Sequence, residues 1–294
     1  MNPGRLLSLG LPLILLAGLA QAQDEFADIE VTTTHVAGKV YMLKAAGGNI
    51  AVSVGEDGML LVDDQFAPLA EKIQAALAEL GEGKLAFVLN THWHGDHTGG
   101  NAEFDKLAPI ISHKNVRARL ATPQELTRNT YEAQPKAALP DITFEEQLWI
   151  HYNGEDIRAL HLPNAHTDGD IVIFFPESNV VHMGDVLFSG LFPFVDLETG
   201  GTVQGVIEHV STLLQIIPVD AKILCGHGPL TDIDGLRAYH AMLLSTTDTV
   251  RSAMAEGKTL EEIQAAGLPG FEEWSWNFIP TDRWIKTIYD GYSE

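Results

Sequence analysis

The chain contains one cysteine, Cys225, among 294 residues. No intrachain disulfide is available, so stability has to come from a buried core. At 45% apolar residues, the composition can build one. Basic residues are scarce as well: 18 Lys and Arg stand against 40 Asp and Glu, a formal net charge of −22. Nucleic acid and anionic membrane surfaces both need basic patches, so this balance argues against either as a partner. It suits a protein acting on a small molecule, and acidity of this size is equally an adaptation to salt. No Pro/Ser-rich linker, low-complexity tract or obvious internal repeat divides the chain, and one domain is expected over residues 23–294.

Only one long apolar run is present, Leu6 to Leu19, with Arg5 as the single charge before it. It ends in Ala20-Gln21-Ala22, a small-x-small cleavage pattern. Residues 1–22 therefore read as a secretory signal peptide, which predicts a periplasmic or secreted mature protein with no membrane attachment after cleavage. A membrane anchor is the competing reading. The run falls short of the roughly 20 residues a span requires, and Gly10, Pro12 and Gly18 interrupt it. No cysteine follows it to carry a lipid.

The remaining pattern is β-rich, then partly helical, then β-rich and helical again. Residues 36–43 and 50–54 read as strands joined by a Gly47-Gly48-Asn49 turn, with a further strand at 59–63. Leu69, Ile73, Ala76, Leu77 and Leu80 give Pro68–Leu80 one apolar helical face. Residues 85–89 (LAFVL) form a continuous apolar run, as in a strand buried on both faces. Residues 102–140 look mostly helical and loop-like around a short strand at 110–112. Strands are expected at 142–144, 147–152, 156–162, 171–175, 179–183 and 221–225, with Asn153-Gly154 as a hairpin turn. Helical spacing marks 203–217, 234–256, 259–266 and 281–291. This order predicts an α+β fold of two packed sheets with helices outside, not a regular βαβ alternation.

The chemistry concentrates directly after the apolar strand 85–89, in NTHWHGDHTGG (90–100). His92 and His94, at i and i+2 in extended chain, point to one side and can share an ion. Asp96 and His97 follow a glycine and can reach a second point nearby. Imidazole nitrogen and carboxylate oxygen are zinc ligands. Gly95, Gly99 and Gly100 let the backbone turn close to such a site. A histidine-rich surface loop is the alternative, but four ligand-type residues at this spacing behind a buried strand argue against it. Three further candidates lie at strand ends beside glycine: His166 before 171–175, Asp185 after 179–183 and His227 after 221–225.

An HxHxDH motif, a separate His, a Gly-Asp and a Gly-His-Gly in this order resemble the metallo-β-lactamase superfamily. The resemblance extends to LLVDD at 60–64 and TGGN at 98–101. It implies an αββα sandwich with a two-zinc site between the sheets, zinc being replaceable by another divalent ion. One zinc would be held by His92, His94 and His166, the other by Asp96, His97 and His227. Asp185 would bridge them or lean towards the second. Asp96, His94 and Asp185 are then the catalytic candidates, serving a metal-bound hydroxide that attacks a carbonyl or phosphoryl centre. Asp63 or Asp64 would steady a ligand histidine through its other nitrogen.

Cys225 sits in an apolar run and reads as a core residue. His35, His113, His151, His161, His182, His209 and His240 lack motif context. Trp93, Phe188, Phe192 and Phe194 are expected to line the substrate rim, with core packing as the competing reading. For Trp93 the two are evenly matched. Export favours β-lactam hydrolysis, and antibiotic resistance would follow from it. Yet the lysine that many β-lactamases of subclass B1 place three residues after their cysteine ligand is Phe188 here, and the ligand itself is Asp185. The MGDVLFSG stretch (183–190) also resembles glyoxalase II, which keeps a thioesterase or lactonase in view. A non-catalytic periplasmic protein that binds metal or ligand is the reading from a different class.

Overall fold

A computed structural model describes residues 25–127 and 129–293. The expected signal peptide, residues 1–22, lies outside the described residues. Six strands open the first sheet: β1 (Thr32–Ala37), β2 (Val40–Lys44), β3 (Ile50–Gly55), β4 (Gly58–Val62), β5 (Leu85–Leu89) and β6 (Ile110–His113). A small hairpin, β7 (Gln124–Glu125) and β8 (Thr130–Tyr131), follows outside it, and β9 (Ile142–Phe144) returns to pair with β6. The order is β1-β2-β3-β4-β5-β6-β9, antiparallel up to β4 and parallel from there. The second sheet runs β10 (Gln147–Tyr152), β11 (Glu155–His161), β12 (Ile171–Phe175), β13 (Val180–His182) and β14 (Lys222–Leu224), parallel only between the last two.

Side-chain alternation decides which residues go where, because successive positions on a strand face opposite ways. Leu60 and Val62 of β4 join Leu89, Ile111, Ile157, Ile173 and Phe175 in a buried layer between the two sheets. Met59 and Leu61 turn outward and pack on Ile73 and Leu77 of helix α1 (Ala70–Leu80). Two four-residue turns, α2 (Gly95–Thr98) and α3 (Asn101–Phe104), and α4 (Lys114–Leu120) follow on the same side of the chain order. The outer face of the second sheet (Val172, Val181, Ile223) is covered by α5 (Val203–Ile216), α6 (Ile233–Ala255), α7 (Leu260–Ala266) and α8 (Thr281–Gly291), with Trp284 fully buried among them. These layers are the expected αββα sandwich. Thr202, Asp232 and Thr259 accept backbone N–H groups at the starts of α5, α6 and α7 and fix where those helices begin.

One strand differs from the sequence expectation. Residues 36–43 are not continuous: the chain turns at Gly38 with φ +52°, and β1 folds back on β2. A Cβ at Gly38 would lie 2.4 Å from Ser178 Oγ, so only glycine fits this approach to the second sheet. The Asn153-Gly154 turn forms as expected, with φ of 54° and 67°.

Candidate metal centre

All seven candidate donors sit in the loops and short helical turns at one end of the sandwich. β4, β5, β13 and β14 are paired so that their C-terminal ends lie together there, and β12 begins there. Ile171 N–H donates to Thr91 O at 2.8 Å, and Asn49 N–H donates to Gly226 O at 2.7 Å. These bonds stitch the two sheets across the site.

The donors fall into two groups. In the first, His94 Nδ1 lies 3.0 Å from both His92 Nε2 and His166 Nε2. In the second, Asp96 Oδ2 lies 3.2 Å from His227 Nε2 and 3.6 Å from His97 Nε2. Asp185 stands between them. Its Oδ2 is 3.9 Å from His92 Nε2, 3.7 Å from His166 Nε2 and 3.4 Å from His227 Nε2, and its Oδ1 is 3.2 Å from His97 Nε2. By distance, Asp185 completes a four-residue group with His92, His94 and His166 while leaning towards the second.

The chain itself sets four of the five imidazoles for ligation. His94 Nε2 meets Asp196 Oδ2 at 2.9 Å, His97 Nδ1 meets Asp63 Oδ2 at 2.7 Å, and His166 Nδ1 meets the Phe194 carbonyl at 2.7 Å. His92 Nδ1 faces Thr91 Oγ1 at 3.0 Å, and that hydroxyl donates to Asp63 Oδ2. Each of these partners accepts, so the proton resides on the outer nitrogen and the inner one keeps its lone pair. Asp63 reaches this position with φ +66°, a left-handed conformation that an aspartate adopts at some cost and that ends β4 abruptly.

Charge points the same way. Burial lowers His92 and holds His166 down at about 4, so both are neutral donors. In the second group burial would lower His97 and His227, but the Asp185 carboxylate outweighs it. It raises His97 together with Asp96 and Asp63, and it raises His227 to about 9 with help from hydrogen bonds to both acids. Burial would likewise raise Asp96 and Asp185. The His97 charge and a His227 hydrogen bond bring Asp96 to about 2, and His227 followed by His97 brings Asp185 down. This end of the molecule is built for positive charge. His97 Nε2 and Asp185 Oδ1 are buried 3.2 Å apart with no other polar partner and no well-aligned hydrogen bond, an arrangement that a cation would complete. The donor set fits one divalent ion per group. The face open to solvent is made by Asp96, His227 and His94, with 28%, 21% and 15% of their side chains exposed.

Several sequence expectations resolve here. Of the two adjacent acids, Asp63 orients the His97 ring, while Asp64 accepts the Gly100 N–H at 2.9 Å and shapes the turn. Cys225 is fully buried, its thiol pushed by burial up to about 12, and it belongs to neither donor group. His182 is buried too, bonded to Asn49 O at 2.9 Å. The rim is corrected. Phe188 and Phe192 have no exposed surface. Phe188 stacks flat beneath His227 at 5.3 Å, and Phe192 stacks on Trp284 at 6.1 Å, because α8 closes over this loop. Trp93 is also buried, packed with Val116 and Leu120. Phe194 alone of the four stays partly exposed, 5.6 Å from both the His94 and His166 rings.

The sequence reading missed Asp196, which lies 102 residues from His94 in a loop without motif or periodicity. It missed Trp276 and Phe278 as well, which reach the site from the segment before α8. No local signal marked them.

Comparisons with known proteins bear on the family and the fold. A family model described as the metallo-beta-lactamase superfamily matches residues 47–228. A hydroxyacylglutathione hydrolase of Rhodopseudomonas palustris is 29% identical over 206 residues, 69% of each chain. A probable metallo-hydrolase of Bacillus subtilis is 30% identical over 182 residues, 59% of this chain and 85% of that protein. Among solved structures, a metallo-beta-lactamase from Pontibacter korlensis superposes with a TM-score of 0.62 over 73% of this chain and 99% of its own, at 17% identity, a likeness of fold.

Proposed function

Because the chain belongs to the metallo-β-lactamase superfamily, we propose that it is an exported hydrolase that opens cyclic amides and esters, β-lactams foremost, with two divalent ions, zinc first among them. The carrying observation is Asp185, a buried carboxylate shared between two histidine-rich donor groups that open on one face. His92, His94 and His166 would hold one ion and Asp96, His97 and His227 the other. A divalent pair supplies Lewis acidity and a water of lowered pKa. The rest is the chain's own work. Asp96, ionised and the most exposed of the donors, would hold the second ion through Oδ2 and accept a hydrogen bond from the attacking water through its other oxygen, orienting it. Hydrolysis forms a carbon–oxygen bond, breaks the acyl carbon–nitrogen bond and delivers one proton to the departing nitrogen. Asp96 lies beside the water that gives up that proton. Asp196, Asp63 and the Phe194 carbonyl keep the rings in register throughout.

Phe188, buried under His227, leaves no cation at the position where a lysine would grip a lactam carboxylate. A high KM for such substrates follows. The same aspartate-for-cysteine site, with 29% identity to a hydroxyacylglutathione hydrolase, supports a second reading as a thioesterase or lactonase. Under either reading the substrate is a small molecule, and the protein works in the periplasm or outside the cell.

The test is hydrolysis of a chromogenic cephalosporin by the purified, zinc-loaded protein lacking residues 1–22, beside a chelated sample. Chelator-sensitive turnover supports the leading reading. A metal-replete protein without turnover sinks it and moves thioesters and lactones forward. Silence across that whole panel returns the protein to a non-catalytic metal or ligand binder. Asp185→Ala and His227→Ala should each empty the second ion position before the first. Two tightly held zincs in both variants would mean that the ligand assignment is wrong.

A further inference from the structure

One flank of the site is aromatic, and its three rings Phe194, Trp276 and Phe278 belong to neither donor group. The wall starts at His94, passes to Phe194 (ring centroids 5.6 Å apart), then Phe278 (5.6 Å) and Trp276 (5.5 Å), and ends on His227 at 6.1 Å. Its two ends therefore rest on the solvent-facing histidines of the two donor groups. Trp276 and Phe278 lie beyond residues 47–228, the part of the chain that matches the family.

The wall is held in place by bonds of its own. Trp276 Nε1–H donates to the Phe192 carbonyl at 2.9 Å, which fixes the indole. The Arg283 guanidinium lies 4.4 Å from the centre of the Phe278 ring and 5.2 Å from that of Phe194, and it donates to Phe278 O at 2.8 Å. One cation thus clamps two phenyl rings. Phe278 is nevertheless 49% exposed. The rings meet at 69° and 60°, edge to face, and the exposed part of Phe278 stays open to a further ring.

We propose that Phe194, Trp276 and Phe278 form a subsite for a planar aromatic group carried close to the scissile carbonyl, so that the substrates are acyl compounds with an aryl substituent near the bond that is cut. This deepens the hydrolase reading and rests on it for the chemistry, though not for the binding. A carbonyl placed over the open donors lies next to the wall, and a ring one or two bonds away reaches it. Its gain is that of one added aromatic contact, about ten-fold in affinity.

The test uses phenylacetate and acetate as probes, with dissociation constants from ligand-observed NMR on the chelated and the zinc-loaded protein. Wild type should bind phenylacetate about ten-fold more tightly than acetate in both forms. Phe278→Ala should lose most of that preference, and Phe278→Leu should keep part of it. Phe278 is half exposed, so neither variant threatens the fold. In kinetics, matched aryl and methyl substrates should differ chiefly in KM, and Phe278→Ala should bring them together. Equal binding of the two probes, a preference that survives in Phe278→Ala, or one that appears only with zinc bound overturns the proposal. Absence of turnover on every acyl substrate would sink the hydrolase reading and leave the binding result standing.

Discussion

Replacing Asp63 with asparagine changes one oxygen to an amide nitrogen, and the structure leaves that nitrogen nowhere to go. Asp63 is fully buried and accepts three hydrogen bonds: Thr91 N–H on Oδ1 at 2.7 Å, and Thr91 Oγ1 and His97 Nδ1 on Oδ2, each at 2.7 Å. If the amide nitrogen takes the Oδ2 position, it confronts His97 with a donor. His97 must then carry its proton on Nε2, the atom that faces Asp96 and Asp185 and that has to be bare to hold a metal. If the amide flips, the nitrogen faces the Thr91 N–H and leaves a buried backbone donor without a partner, which costs about 1–3 kcal/mol. The first arrangement weakens the second ion position; the second keeps the His97 bond and takes its cost from the stability of the fold. Loss of such an orienting partner costs about 10- to 100-fold in metal affinity, or about 1.4–2.7 kcal/mol. Competition against a chromogenic chelator should show one zinc weakened by that factor and the other little changed. Asp64→Asn is the control. Asp64 bonds the Gly100 N–H at 2.9 Å through Oδ1, a bond that an amide oxygen also makes, while burial, then the neighbouring Asp63 charge, raises its carboxyl above the usual range. An Asp63→Asn protein that binds both zincs as wild type does and is no less stable to urea would refute the assignment of Asp63 as the group that sets the His97 tautomer.

Other perturbations test separate parts of the account. Gly48→Ala places a Cβ 2.1 Å from His97 Cε1 and 2.4 Å from Nε2, so the hairpin or the ring must move; metal analysis should show the second ion lost while circular dichroism shows the fold kept. Phe192→Ala empties a fully buried site against Trp284 and should cost about 3–5 kcal/mol in urea unfolding with little effect on KM; a shifted KM at unchanged stability would restore the rim reading for Phe192. In the chelated protein His227 is raised to about 9, above its unfolded value of about 6.5. Its contribution to stability is therefore complete below pH 6.5 and lost as the pH rises through 9. Thermal melts of chelated protein should fall between pH 6.5 and 9.5, and zinc-loaded protein, in which a cation takes the place of that proton, should fall less.

The sandwich was legible because its strands obey a two-residue period and its helices a 3.6-residue one. Leu60 and Val62 go inward and Met59 and Leu61 outward without help from anything remote. The donors were legible for a different reason: four of them crowd into six positions behind one buried strand, and the other three follow the glycine-marked ends of later strands. What failed depended on contacts across the chain. Val36 to Leu43 looks like one strand, and the turn at Gly38 is imposed by Ser178, which is 140 positions away. Phe188 and Phe192 look like loop aromatics because their cover comes from later segments: Trp284 on α8, and Trp274, whose carbonyl takes the Phe192 N–H at 2.8 Å. Asp196 is silent in sequence for the same reason. The division follows from what each role demands. Holding an ion takes several donors at one point, which a short motif can supply. Aiming those donors and shaping the space above them takes neighbours, and a neighbour can come from anywhere in the chain. Asp196, Phe194, Trp276 and Phe278 all belong to that second class, and the three rings run between the solvent-facing histidines of the two donor groups. On the proposed reading, selectivity rests on residues that no metal motif could have announced.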